Sequence, residues 1–328
     1  MRHLSLLLIF VATACSSPDS RHGGGGSGGT GGGGTGGTGG GGAGGSGGSG
    51  GGGAGGTGGG GGGGTDGCSA AAKLIYVIDQ DGTFSSFTPN QSDVTKSVFT
   101  DIGKLSCPAG NGYQPFSMSV DRGATAWVEY VDQGIGGLGG SNPNKLFKVS
   151  TGNASCTATS FAGNQQGFNQ FGMGFVSDAA MSTSETLFIA GGTTVGNATN
   201  LGTVDMTTLM VKKGNMLGGD PELTGTGLAE LWGFFPVTSG NQMARVSKID
   251  KMSAAESNVI QLTTLTGMAQ DWAFAFYGGE FFVFLAPQGG ATTVYHVAPT
   301  GLKDQLDTKT RHIVGAGVST CAPTTPIS

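Results

Sequence analysis

Beyond residue 70 the chain is written in short apolar runs separated by clusters of Gly, Asn, Asp and Ser, which is the pattern of β-strands and tight turns. Five runs carry one aromatic residue among apolar ones: LIYVI at Tyr76, TAWVE at Trp127, TLFIA at Phe188, ELWGF at Trp232 and EFFVF at Phe282. Each is followed by a strand with apolar residues three apart, namely Phe84/Phe87, Leu146/Val149, Leu201/Val204, Val246/Ile249 and Val294/Val297. Four are preceded by a strand in which small residues alternate: Ser117/Ser119, Gly172/Gly174, Gly225/Gly227 and Ala273/Ala275. SVFTDIGKL, SCTATSF and LMVKKG supply further strands between repeats.

Three strand signatures recurring in one order predict an all-β fold, a β-propeller of about five four-stranded blades. The small-residue strand is expected innermost, where blades converge, and the aromatic strand second, with its ring between blades. Before Tyr76 there is no small-residue strand. The C-terminal IVGAGVST, with Gly315 and Gly317 alternating, supplies it, so the last strand completes the first blade and closes the ring. An antiparallel pair sets the end of one strand beside the start of its partner, which brings Cys321 to Cys68. With Cys15 set aside, Cys107 and Cys156 remain and pair by elimination. None of these cysteines has Cys-x-x-Cys spacing, so disulfides are favoured over zinc.

The N-terminal seventy residues follow other rules. Arg2 and His3 precede an apolar run, Leu4 to Ala12, too short to span a bilayer, as in a secretory signal. Ala12, Thr13 and Ala14 lead into Cys15 as in the lipobox of bacterial lipoproteins, in which the cysteine is acylated. From Gly23 to Gly64 the chain is Gly broken by Ser, Thr and Ala, with no apolar surface to bury. Such a tether averages roughly 35 Å end to end. The expected organisation is a signal peptide over 1–14, a lipidated Cys15 with a disordered Gly-rich linker over 15–67, the propeller over 68–323 and a tail over 324–328.

The linker holds about half of the 68 glycines, and its GGSGG, lacking a flanking strand and helix, is no nucleophile elbow. A net charge of −5 without a basic aromatic cluster argues against a nucleic-acid partner. With its lipobox-like start and Gly leash, and on the signatures PFSMSVDR…AWV, LFKVST…SCTATSF, FGMGF and IVGAGVSTCAP, the chain resembles lipid-anchored, propeller-like lipoproteins of myxobacterial type. The resemblance implies export and surface anchoring, and brings no catalytic residues with it.

Chemistry-bearing motifs are sparse. His296, alternating with Tyr295 and Val297, is expected to face outward, and His312 to adjoin the closing strand. DQDG at Asp79–Gly82 lacks the further ligands of a calcium loop and is read as a hairpin turn. Gly134, Gly136 and Gly139 fit a dinucleotide-loop pattern, but Pro143 and a strand follow where a helix is required. Asp121, Asp178, Asp205, Asp250, Asp271 and Glu280 lie near strand ends and are expected as turn residues. No catalytic, metal or cofactor site is assigned.

The function expected from these readings is a non-enzymatic binding or scaffold protein of the cell envelope, on the outer membrane or surface of a Gram-negative bacterium. Its partners are the membrane, through the lipid anchor, and an extracellular protein or glycan held on loops such as 134–144 and 191–200. The alternative is a propeller lyase or hydrolase acting on extracellular polysaccharide. Convergence of three or more acidic or His side chains in one pocket separates that alternative from the binder.

Overall fold

The structure, a computed structural model, describes residues 67–134, 140–192, 199–238 and 242–327. Cys15, the signal segment, the Gly-rich linker and the centres of both loops named above lie outside the described residues.

Among the described residues twenty strands form five four-stranded antiparallel sheets. The first contains β1 (Ile75–Asp79), β2 (Thr83–Thr88) and β3 (Val98–Lys104). The second contains β4 (Tyr113–Val120), β5 (Thr125–Asp132), β6 (Lys145–Ser150) and β7 (Cys156–Ala158). The third contains β8 (Gln170–Ser177), β9 (Glu185–Gly192), β10 (Asn200–Val204) and β11 (Val211–Met216). The fourth contains β12 (Glu222–Gly225), β13 (Leu231–Phe235), β14 (Arg245–Ile249) and β15 (Glu256–Gln261). The fifth contains β16 (Ala269–Tyr277), β17 (Glu280–Pro287), β18 (Thr293–Ala298) and β19 (Gly301–Asp307). Then β20 (Ile313–Gly317) returns to the first sheet, giving it the order β20-β1-β2-β3.

The inner strands β4, β8, β12, β16 and β20 touch in a ring, so the fold is a five-bladed β-propeller closed by its C-terminal strand. In that closure Tyr76 faces Gly317, Val77 faces Ala316 and Ile78 faces Gly315. Both expected disulfides are formed. Cys68 and Cys321 lie with Cα atoms 5.8 Å apart, and Cys107 and Cys156 with theirs 5.0 Å apart.

The small residues are where adjacent inner strands come closest. A Cβ on Gly174 would lie 3.1 Å from the Thr224 backbone, and one on Gly317 would lie 2.9 Å from Ser119 Cα. Some small polar residues also satisfy the unpaired edge of the next inner strand. Phe175 N–H donates to Ser119 Oγ at 3.0 Å, and Phe276 N–H donates to Thr224 Oγ1 at 3.1 Å. Each second-strand aromatic packs into a cluster shared with the following blade: Tyr76 with Met118 and Val120, Trp127 with Met173, Trp232 with Phe274, and Phe282 with Ile313 across the seam.

His296 departs from expectation. It is fully buried, stacked on Phe282 with ring centroids 4.8 Å apart, and does not face outward. Strand alternation predicts an outer face only where one side of a sheet meets water, and β18 has neighbouring blades on both sides. The ring is satisfied by two carboxylates: Nε2 lies 2.7 Å from Glu280 Oε2 and Nδ1 lies 2.8 Å from Asp304 Oδ1. The network extends across the closure seam, because Gln91 Nε2 donates to Glu280 and Val94 N–H donates to Asp304.

Candidate functional site

The inner strands all start at the same end of the ring, and a cavity of about 670 Å³ opens there. Its walls belong to four of these starts (β4, β8, β12 and β16), the bulge residue of β20 and the turns beside them. At the opposite end the channel is shut. After β20 the chain crosses to the other blades: Thr320 Oγ1 donates to Glu185 at 2.8 Å and receives Arg122 Nη1 at 3.0 Å, while its carbonyl lies against Gly227. Thr320 and Ser319 are buried there, and the Cys68–Cys321 bond pins the segment. The cavity is therefore a blind cup.

Three inner strands break register at the cup. An extra residue is accommodated between Pro115 and Ser117, between Ala269 and Asp271, and opposite Ile78/Asp79. Those extra residues, Phe116, Gln270 and Val314, all line the cavity. A bulge re-aims the side chains beside it, which is why bulges gather next to functional sites. Here they turn residues of three blades into one space.

The lining is rich in amides and acids. Gln80, Gln114, Gln133, Gln170 and Gln270 contribute side chains from four blades, with Gln80 Nε2 donating to Gln114 Oε1 at 3.2 Å. Trp272 and Phe116, both partly exposed, add aromatic surface. Three carboxylates line the cavity: Asp220 and Glu222 from the fourth blade and Asp271 from the fifth. No Lys or Arg is among the described lining residues.

Glu222 begins β12 on the cup floor and is 3% exposed. Its side chain passes over Gly172 of the third blade and accepts a hydrogen bond from Ser117 Oγ of the second. Only a glycine leaves room for that passage: a Cβ at 172 would collide with Glu222 Oε2 and lie 2.6 Å from the Pro221 carbonyl. Burial pushes the Glu222 carboxyl well above the usual range, the Ser117 bond opposes this, and neighbouring Glu129 and Asp220 raise it further.

Glu129, on β5 behind the cup wall, is fully buried and accepts from Asn144 Nδ2 and, at 3.0 Å, from Phe171 N–H. Its carboxyl is pushed up to about 8 by burial, against the pull of those two bonds. Asp271 is also raised by burial, with the opposing influence of His312 smaller. Its Oδ2 is buried without a hydrogen-bond partner among the described residues. The cavity thus combines carboxyl groups that burial pushes upward with neutral amide donors and acceptors.

Of the acidic residues singled out from sequence, only Asp271 reaches the cup. Asp205 and Asp250 cap their own turns, accepting from Thr208 and Ser253 N–H, and Glu280 belongs to the His296 network. DQDG is a hairpin turn, with Gly82 at φ 86° and its N–H on the Asp79 carbonyl. His312 is exposed and lines a neighbouring hollow with Asp79, Asp81, Asp101 and Arg311. No group of three or more His, Cys, Asp or Glu among the described residues is arranged to hold a metal ion. Sequence reasoning missed Asp220, Glu222 and Glu129. One signal was available: Glu129 breaks the apolar run of TAWVEYV, where a charge in a buried strand asks for a partner.

No protein-family model and no curated protein matches the chain. Among solved structures it is similar to an α-L-arabinofuranosidase from Clostridium thermocellum, at 14% identity over 73% of this chain and 95% of that one, TM-score 0.43. A luciferin-regenerating enzyme matches at 13% identity over 72% of this chain and 77% of that one, TM-score 0.41. A gluconolactonase from Xanthomonas campestris matches at 12% identity over 70% and 71%, TM-score 0.39. At such distance these likenesses say nothing about the residues of the cup.

Proposed function

We propose that the cup is a glycan-directed active site of hydrolytic type. The observation that carries this reading is that Asp220, Glu222 and Asp271 line one cavity together with five glutamines, Phe116 and Trp272. Hydrolysis of a glycosidic bond adds water across it, with a carboxylic acid giving its proton to the departing oxygen. A carboxylate either attacks the anomeric carbon, forming an ester that water then hydrolyses, or takes a proton from the attacking water. Glu222, whose carboxyl burial pushes well above its usual range, is the proposed donor. Asp271, with one oxygen unengaged among the described residues, is the proposed carboxylate. The glutamine amides match sugar hydroxyls as donors and acceptors, and Trp272 and Phe116 offer apolar faces to sugar C–H groups.

In this reading Cys15 carries the lipid anchor and the Gly-rich segment tethers the domain at the cell envelope. The five glutamines favour a second reading, a tethered glycan binder or scaffold that turns nothing over.

The test is product analysis on neutral glycans with wild type, Asp271→Asn and Glu222→Gln. Wild type is expected to release new reducing ends, with each variant slower by about 10²–10⁴-fold while still binding. Binding by wild type without release would refute hydrolysis and leave the binder.

A further inference from the structure

The cup is blind, so a chain too long for it leaves over the rim. In every blade the link between the second and third strands belongs to that rim, because the second strand runs antiparallel to the inner one and ends where the inner one begins. These links are residues 80–82, 133–144, 193–199, 236–244 and 288–292. The first is the shortest, a tight turn with Gly82 at φ 86°. The first blade thus contributes the shortest stretch of rim.

At that turn lies the neighbouring hollow of Arg311 and His312. Its volume of about 390 Å³ falls at the small end of the roughly 300–1,000 Å³ common in ligand pockets. Gln80 is a wall of both spaces. Its backbone N–H donates to the His312 carbonyl at 2.7 Å, and its side chain reaches Gln114 in the cup. His312 in turn pulls on the Asp271 carboxyl. One surface therefore runs from Asp271 past Gln80 and His312 into the hollow.

The hollow is a held polar wall. Arg311 lies over the Phe99 ring, 4.5 Å from its centroid, and pairs with Asp79 at 2.9 Å and Asp101 at 3.4 Å. Lys104 pairs with Asp81 at 3.2 Å. Each of these carboxylates is charge-paired and keeps lone pairs for hydroxyl donors. The exposed side chains of His312 and Thr310 have no hydrogen-bond partner among the described residues. Sugar hydroxyls suit such a wall, because they donate to carboxylates and accept from Arg and His without adding charge.

Resting on the glycan reading of the cup, we propose that this hollow is an outlying subsite. A glycan chain held at Asp271 runs across the open face, over Gln80 and His312, and seats a further sugar there.

The experiment titrates the full chain by calorimetry with cello-, manno-, xylo- and arabino-oligosaccharides, from disaccharide to hexasaccharide. Wild type is compared with His312→Ala and with Thr310→Trp, an exposed substitution that fills the hollow. In at least one series, wild type is expected to bind the hexasaccharide about ten-fold more tightly than the disaccharide, the equivalent of one or two neutral hydrogen bonds. Both variants bring that ratio to within two-fold of one, and the His312 imidazole NMR signals move with the hexasaccharide and not with the disaccharide. A ratio that either variant leaves at the wild-type value overturns the proposal. Disaccharide binding without any gain from length overturns the subsite and leaves the glycan reading of the cup standing. No binding in any series overturns both.

Discussion

Replacing Glu129 by glutamine tests the electrostatics of the cup wall directly. Glu129 is fully buried and its carboxyl is raised from 4.5 to about 8. In the unfolded chain it ionises near its ordinary value, so between those two pH values the folded state holds a proton that the unfolded state has released. Stability therefore falls as pH rises through this window, and the protection is complete only below the unfolded value. Each tenfold difference in proton affinity between the two states is worth about 1.4 kcal/mol, so the group removes about 5 kcal/mol between pH 4.5 and 8.5. That is a large part of the ~5–15 kcal/mol by which domains are stable. Glutamine cannot titrate. It keeps a carbonyl for the Phe171 N–H but turns an NH₂ toward Asn144 Nδ2, at a cost of about 1–2 kcal/mol.

Denaturant unfolding with both disulfides intact should then give curves that cross: E129Q less stable than wild type at pH 4.5 and more stable at pH 8.5. Carboxylates that titrate alike in both proteins cancel in the difference. Stability–pH curves that run parallel from pH 4.5 to 8.5 would refute the argument that a desolvated acid sits behind the cup.

Three further outcomes follow from the same geometry. Cys321→Ser opens a loop of 253 residues and should cost about 5 kcal/mol, against about 4 kcal/mol for Cys107→Ser with its loop of 49; paired thermal melts rank them. His296→Ala leaves Glu280 and Asp304 without the ring between them and should cost about 3 kcal/mol, with hydrogen exchange rising first around residues 90–97. Gly172→Ala places a methyl where the Glu222 side chain passes toward Ser117. It should lower stability by about 2 kcal/mol and reduce product release beyond what the melting shift accounts for.

The repeat was legible in the sequence because each strand of a blade faces one environment. Inner strands meet at the axis and tolerate only small residues, so Gly172, Gly174, Gly315 and Gly317 alternate visibly. Second strands fill the gap between blades, so one ring recurs at Tyr76, Trp127, Phe188, Trp232 and Phe282. The missing inner strand of the first blade pointed to closure by 313–317, and closure in turn brought Cys68 to Cys321.

The cup was not legible in this way. Phe116, Gln270 and Val314 reach it through bulges, which depend on cross-strand register. Asp220, Glu222 and Asp271 sit on two blades, and Ser117, the partner of Glu222, on a third. His296 looked exposed because alternation reports a strand's own two faces and carries no information about the blades that cover them. Local pattern determined the elements and their order, because each strand's side chains answer to its own neighbours. Which polar groups meet at the axis was decided only by closing the ring, since those groups are far apart along the chain and adjacent only in space.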